Sequence, residues 1–78
     1  MKKTQFTEKY ARLLRKLRET RRAAGLTQVQ VGEHFGTHAS FVSKVESGER
    51  RIDVVELAEF CRLYDVRLAE FLKRAGIE

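Results

Sequence analysis

Apolar positions recur along the chain at intervals of three and four residues, the spacing that places side chains on one face of an α-helix. Tyr10, Leu13, Leu14 and Leu17 form the first such stripe. With Thr7 as an N-cap and Gly25 as a stop, the stripe predicts a helix from Thr7 to about Ala24. Thr27 and Gln30 then make the T-x-x-Q pattern of a capping box. They open a short second helix on which Val31 and Phe35 share a face, and Gly36 follows where a left-handed residue ends a helix cheaply. A third helix begins near His38, with Val42 and Val45 inward and Ala39, Ser40, Ser43 and Lys44 pointing elsewhere. Asp53, with Glu56 at the third helical position, opens a fourth helix through about Tyr64, whose apolar face is Val54, Leu57, Cys61 and Tyr64. A last helix, about Leu68 to Ala75, presents Leu68, Phe71 and Leu72, with Gly76 as its stop and Ile77 beyond it. The middle of this series, about residues 27–47, is therefore helix, glycine turn, helix. The outward face of its second member is small, polar and singly charged, and such a face can lie against another surface.

Composition supports an all-α reading. The chain has 78 residues and no proline. A chain of this size buries only about 60% of its unfolded surface, so one domain over residues 1–78 with one core is expected. No apolar run approaches the roughly 20 residues of a membrane span. The opening MKKTQF has the basic lead of a secretion signal, but no apolar segment follows it, and Cys61 has no second cysteine to pair with. A cytoplasmic protein is the expectation.

Charge sharpens the picture. The formal net charge is +5 and the pI about 9.8, which makes polyanions the expected partners. Residues 1–25 hold nine Lys/Arg against two Glu, whereas residues 26–78 hold seven against nine acidic residues. Lys9, Arg12, Arg15, Lys16, Arg18 and Arg22 decorate the first helix. Most of these read as a solvated face, with phosphate attraction reserved for those nearest the two-helix motif. A membrane-surface role is disfavoured, because Tyr10 is the one aromatic on the apolar face and that face is needed for the core. Arg50 and Arg51 follow Gly48 in a polar loop, where they could grip phosphate oxygens or simply be solvated.

Catalytic chemistry finds no foothold. His34 and His38 have no partners at metal-ligand spacing, and neither a glycine-rich phosphate loop nor a framed nucleophile occurs, so no enzyme, metal or cofactor is expected. Cys61 sits in an apolar stripe as a small core residue, and His34 is expected to be solvated.

The central motif resembles that of the Cro/repressor, or xenobiotic-response-element, helix-turn-helix family. The resemblance rests on Leu26-Thr27-Gln28, Gly32, Phe35, Gly36 and Glu46-Ser47-Gly48, and it extends over nearly the whole chain. It implies a compact five-helix, lambda-repressor-like DNA-binding domain. It implies that Gln28 touches a phosphate, that the third helix enters the major groove and reads bases with Ala39, Ser40, Ser43 and Lys44, and that Arg21 pairs with Glu46. In that pairing Arg21 would keep donors for phosphate. Thr27, Thr37, His38 and Ser47, at the helix ends of the motif, complete the expected phosphate contacts with Arg50 and Arg51. Lys44 can donate to guanine, the serines can serve almost any base, and the Ala39 methyl can touch the thymine methyl.

Three features, spread over four positions, depart from the family pattern. His38 stands where a serine or threonine commonly caps the recognition helix, leaving Thr37 or a water to substitute; protonation beside phosphates would tighten binding as pH falls toward about 6. Asp65 stands where glycine is usual, and Arg67 replaces the usual cap of the last helix, which predicts a strained or differently capped corner. Phe41 is large for the edge of a recognition helix and is expected to pack on the seam between the second and third helices.

The expected function is a sequence-specific regulator of transcription, a repressor or autoregulator, that binds a two-fold double-stranded DNA operator as a homodimer with recognition helices about 34 Å apart. Leu68, Phe71, Leu72 and Ile77 are the expected dimer surface. The resemblance leaves phage repressor, restriction-modification controller and antitoxin equally open. The competing class is a protein-interaction module, an antitoxin or adaptor that uses the same fold to hold another, unidentified protein partner.

Overall fold

The computed structural model describes residues 7–77. It contains α1 (Glu8–Ala23), α2 (Gln28–His34), α3 (Ala39–Ser47), α4 (Val54–Leu63) and α5 (Leu68–Arg74), with no strand among the described residues.

Local chemistry accounts for the boundaries. The Thr7 hydroxyl accepts from the Tyr10 amide, and both capping boxes form, Thr27 with Gln30 and Asp53 with Glu56. Each box satisfies two amides that the first helical turn leaves without partners. Four of the five helices run into a glycine at positive φ, but after α4 the residue is Asp65, at φ 61°. Val66 still donates to the Cys61 carbonyl at 2.9 Å there, so the expected corner is closed by the same bond that glycine would permit, at the cost of a left-handed L-residue. Arg67 starts α5 without a side-chain cap, as its type predicts.

The core gathers Leu13, Leu14 and Leu17 of α1, Val31 of α2, Val42 and Val45 of α3, Leu57, Phe60 and Cys61 of α4, Tyr64 and Phe71. Phe60 is its centre. Its ring lies 4.6 Å from that of Phe35 and 6.1 Å from that of Phe41, so Phe41 packs at the α2–α3 seam as expected. Burial pushes the Cys61 thiol up to about 11, which leaves it a packing residue. The Tyr64 hydroxyl is buried with no hydrogen-bond partner among the described residues.

Two expectations about faces are corrected. Val54 is 65% exposed and Val55 75%. The buried face of α4 instead runs Leu57, Phe60, Cys61 and on to Tyr64, so the stripe starts one turn after the cap and Val54 projects past the edge of the core. Phe71, expected at a dimer surface, is 2% exposed and belongs to this chain's own core. Leu68, Leu72 and Ile77 are half-buried against that core.

Candidate nucleic-acid interface

Helix α3 is fixed from below and bare above. Val42, Val45 and Glu46 are buried, whereas Ser40, Ser43 and Lys44 are exposed and Ala39 is half-buried. Among the described residues no hydrogen bond engages the side chains of Ser40, Ser43 or Lys44. Their donors and acceptors therefore need not break an internal bond before meeting a base edge, and their small size lets the backbone come close.

The start of α3 is held by backbone proximity. His38 is the N-cap residue, yet no side chain caps the helix, so Thr37 does not substitute for the missing serine or threonine. What fixes the turn is Gly32. The Thr37 amide donates to the Gly32 carbonyl at 2.9 Å, and a Cβ on Gly32 would lie 2.6 Å from both the carbonyl carbon and the oxygen of His38. Only a residue without a side chain allows α2 and the turn to approach so closely.

The end of α3 is held by charge. The Glu46 carboxylate is fully buried and accepts from Arg21 Nε at 2.7 Å, from the Arg21 Nη2 at 3.2 Å and from Gln28 Nε2 at 3.0 Å. Arg21 also donates through Nη1 to the Leu26 carbonyl at 2.9 Å. The hydrogen bonds to Glu46, more than the bare charge, raise the Arg21 pKa and keep the guanidinium cationic. One ionic cluster thereby ties the end of α1, the start of α2 and the end of α3 together.

A family model described as a helix-turn-helix domain matches residues 10–73. Among solved structures, an XRE-family like protein from Pseudomonas syringae pv. tomato str. DC3000 superposes with a TM-score of 0.80 at 41% identity, covering 87% of this chain and 83% of that one. The chain belongs to the XRE-type helix-turn-helix family. No curated protein matches it.

In general terms this XRE-family protein is therefore a DNA-binding regulator. Among its described residues no helix is long and apolar enough to cross a membrane, and no group of three or more His, Cys, Asp or Glu residues could hold a metal ion.

The other expected phosphate contacts divide into exposed and engaged groups. Thr37, His38 and Ser47 are exposed, and Ser47 Oγ donates to the Lys44 carbonyl at 3.2 Å. The Thr27 hydroxyl is exposed but serves the α2 cap. Gln28 gives one of its two amide N–H donors to Glu46. Arg21, expected to reach phosphate as well as Glu46, is 7% exposed in the XRE-family protein and makes two bonds to Glu46. Arg50 makes two bonds to Glu56, at 3.1 and 2.9 Å, and stacks 4.8 Å over the Phe41 ring. Arg51 stacks 4.3 Å over Tyr10. The loop pair is thus folded back on the protein.

Two interactions have no counterpart in the sequence pattern. His34, expected to be solvated, lies with Nε2 2.5 Å from Glu59 Oε2 and joins the end of α2 to α4. Arg62 and then His34, by hydrogen bonding to Glu59, hold its carboxyl down at about 2. Arg18 reaches to 3.6 Å from Glu46 while its side chain stays 47% exposed. Neither pairing has a signal in local spacing, since 25 residues separate His34 from Glu59 and 28 separate Arg18 from Glu46.

Proposed function

We propose that this protein is a sequence-specific regulator of transcription that reads the DNA major groove with α3. The observation that carries the reading is the unengaged outer face of α3, with Ser40, Ser43 and Lys44 exposed above a rigidly buried inner face. Lys44 is the residue assigned to guanine, through O6 or N7. Thr37, His38 and Ser47 are the exposed phosphate contacts at the two ends of that face.

The regulator acts as a homodimer on a two-fold operator, repressing the promoter in which the operator lies, its own included. A second copy can meet the exposed first turn of α4, Val54 and Val55, or the half-buried edges of Leu68, Leu72 and Ile77. Sedimentation equilibrium should find two chains per operator duplex, and one chain per duplex would remove the dimer from the proposal.

The direct test is selection from a random duplex library. An enriched two-fold sequence is expected, and Lys44→Ala should relax preference at one base position per half-site, a loss of about 1–3 kcal/mol of discrimination. Absence of any enriched sequence, or enrichment indifferent to Lys44→Ala, overturns the reading.

A further inference from the structure

The cations at the centre of the expected interface are largely occupied, but one face of α1 keeps open ones. Arg15, Arg18 and Arg22 follow one another at three and four residues and so form a ridge on one face of α1. Arg18 and Arg22 line one cleft with Thr27, Gln28 and Ala39, at the start of the motif. The same two arginines line a second cleft with Arg15 and Glu46. Because they belong to both, the clefts form one continuous surface that runs from the first residue of the recognition helix along α1.

The charge on that surface is not cancelled. Of its two carboxylates, Glu46 is taken by Arg21 and Gln28, and Glu19 pairs with Lys16 at 3.0 Å. Arg15 and Arg22 are exposed and engage no partner among the described residues. Arg18 stands 3.6 Å from Glu46, beyond hydrogen-bond length, with half its side chain in solvent. Arg15 and Arg22, held on a helix without carboxylate partners, and Arg18, half in solvent beside Glu46, present planar guanidiniums that can donate to two oxygens of one oxyanion.

We infer that the Arg15–Arg18–Arg22 ridge is a second phosphate-binding track, which carries the DNA backbone beyond the segment read by α3. This rests on the DNA-binding reading and adds a longer footprint to it. The seven steps of helix from Arg15 to Arg22 extend about 10 Å, which matches about three nucleotides at an axial rise of about 3.4 Å each. The track is indifferent to base sequence, so it raises affinity for any duplex and leaves base preference to α3.

The test measures the affinity of the full chain for a mixed-sequence 30-base-pair duplex as a function of KCl concentration. Removing one cation that neutralises a phosphate should reduce the slope of log affinity against log salt by about 0.9. Arg15→Gln and Arg22→Gln are therefore expected to lower the slope by about one each and by about two together, with unchanged thermal midpoints. Lys73→Gln, an equal charge change on the exposed part of α5, should leave the slope alone. If the wild-type chain is steeply salt-dependent and the ridge variants run parallel to it, the track is refuted while DNA binding stands. An equal drop in Lys73→Gln also refutes it, since net charge alone would then explain the effect. Duplex binding that is absent from the wild-type chain overturns both readings. Binding of poly-glutamate that disappears in the double variant while duplex affinity stays constant would refute the track and reassign the ridge to an acidic protein partner.

Discussion

The two ends of α3 are held by opposite means. At its C-terminal end a buried carboxylate collects Arg21 and Gln28 from two other helices, and Gly48 closes the helix at φ 87°. At its N-terminal end no side chain caps the helix, and the close constraint is the backbone of His38 against Gly32. α3 is thus pinned by an ion pair at one end and by the shape of Gly32 at the other. At its start no side chain caps the amides, and the Phe41 amide turns back to the His38 carbonyl at 3.1 Å.

The largest effect should come from the pinned end. Glu46→Ala leaves Arg21 buried without its carboxylate, a loss of about 3–5 kcal/mol in denaturant unfolding. Replacing both partners, Arg21→Met with Glu46→Leu, should return most of that stability, because the cost lies in the orphaned charge. A double variant no more stable than Glu46→Ala would mean that Gln28 and Arg18 matter more than the pair itself.

Gly32→Ala comes next. Its methyl would collide with backbone, which cannot swing aside as a side chain can, so about 1–3 kcal/mol should be lost and α3 should tilt. Reduced DNA affinity at temperatures where the variant is fully folded would report the tilt. A variant with wild-type stability and affinity would show that the start of α3 is looser than its geometry implies.

His38→Ser works in the other direction, since it supplies the missing cap. It should raise stability by about 1 kcal/mol, read as a higher midpoint in thermal unfolding. No gain would show that the bond from the Phe41 amide to the residue 38 carbonyl already does the work of the cap.

The smallest effect concerns the brace behind that start, where His34 at the end of α2 meets Glu59 on α4. The Glu59 carboxyl is depressed by Arg62 first and by His34 second, so the stabilising contribution of the two contacts together is complete above the ordinary value of 4.5 and fades as pH falls toward about 2. Glu59→Gln should lower the melting temperature slightly at neutral pH and shrink the further drop on acidification through that window. Both partners are partly exposed, so screening keeps the effect small. Identical acid profiles for the two proteins would remove the brace.

Much of this molecule was legible from local pattern. Helix starts were written as Thr7, Thr27 and Asp53, and most helix ends as glycines, because capping is settled within four residues of chain. The inward valines of α3 and its free outer face followed from period alone. Arg21–Glu46 came from family resemblance, and the structure adds that Gln28 shares the carboxylate and that Arg21, 7% exposed, also donates to the Leu26 carbonyl. Val54 and Phe71 were placed on the wrong side of the surface, because a stripe of apolar residues has an edge that only packing locates.

What the sequence determined by itself was thus the number, order and type of elements, the position of the motif and the family, all properties of nearest neighbours on a helix. What tertiary structure decided was which charges are free. Arg18, Arg22, Arg50 and Arg51 look alike in sequence, yet Arg50 is bound to Glu56, Arg51 stacks on Tyr10, Arg18 lies at the margin of Glu46, and Arg22 stands open. A cation's partner is whatever carboxylate or ring the folding of distant segments brings within about 4 Å, and that distance is not encoded in spacing along the chain.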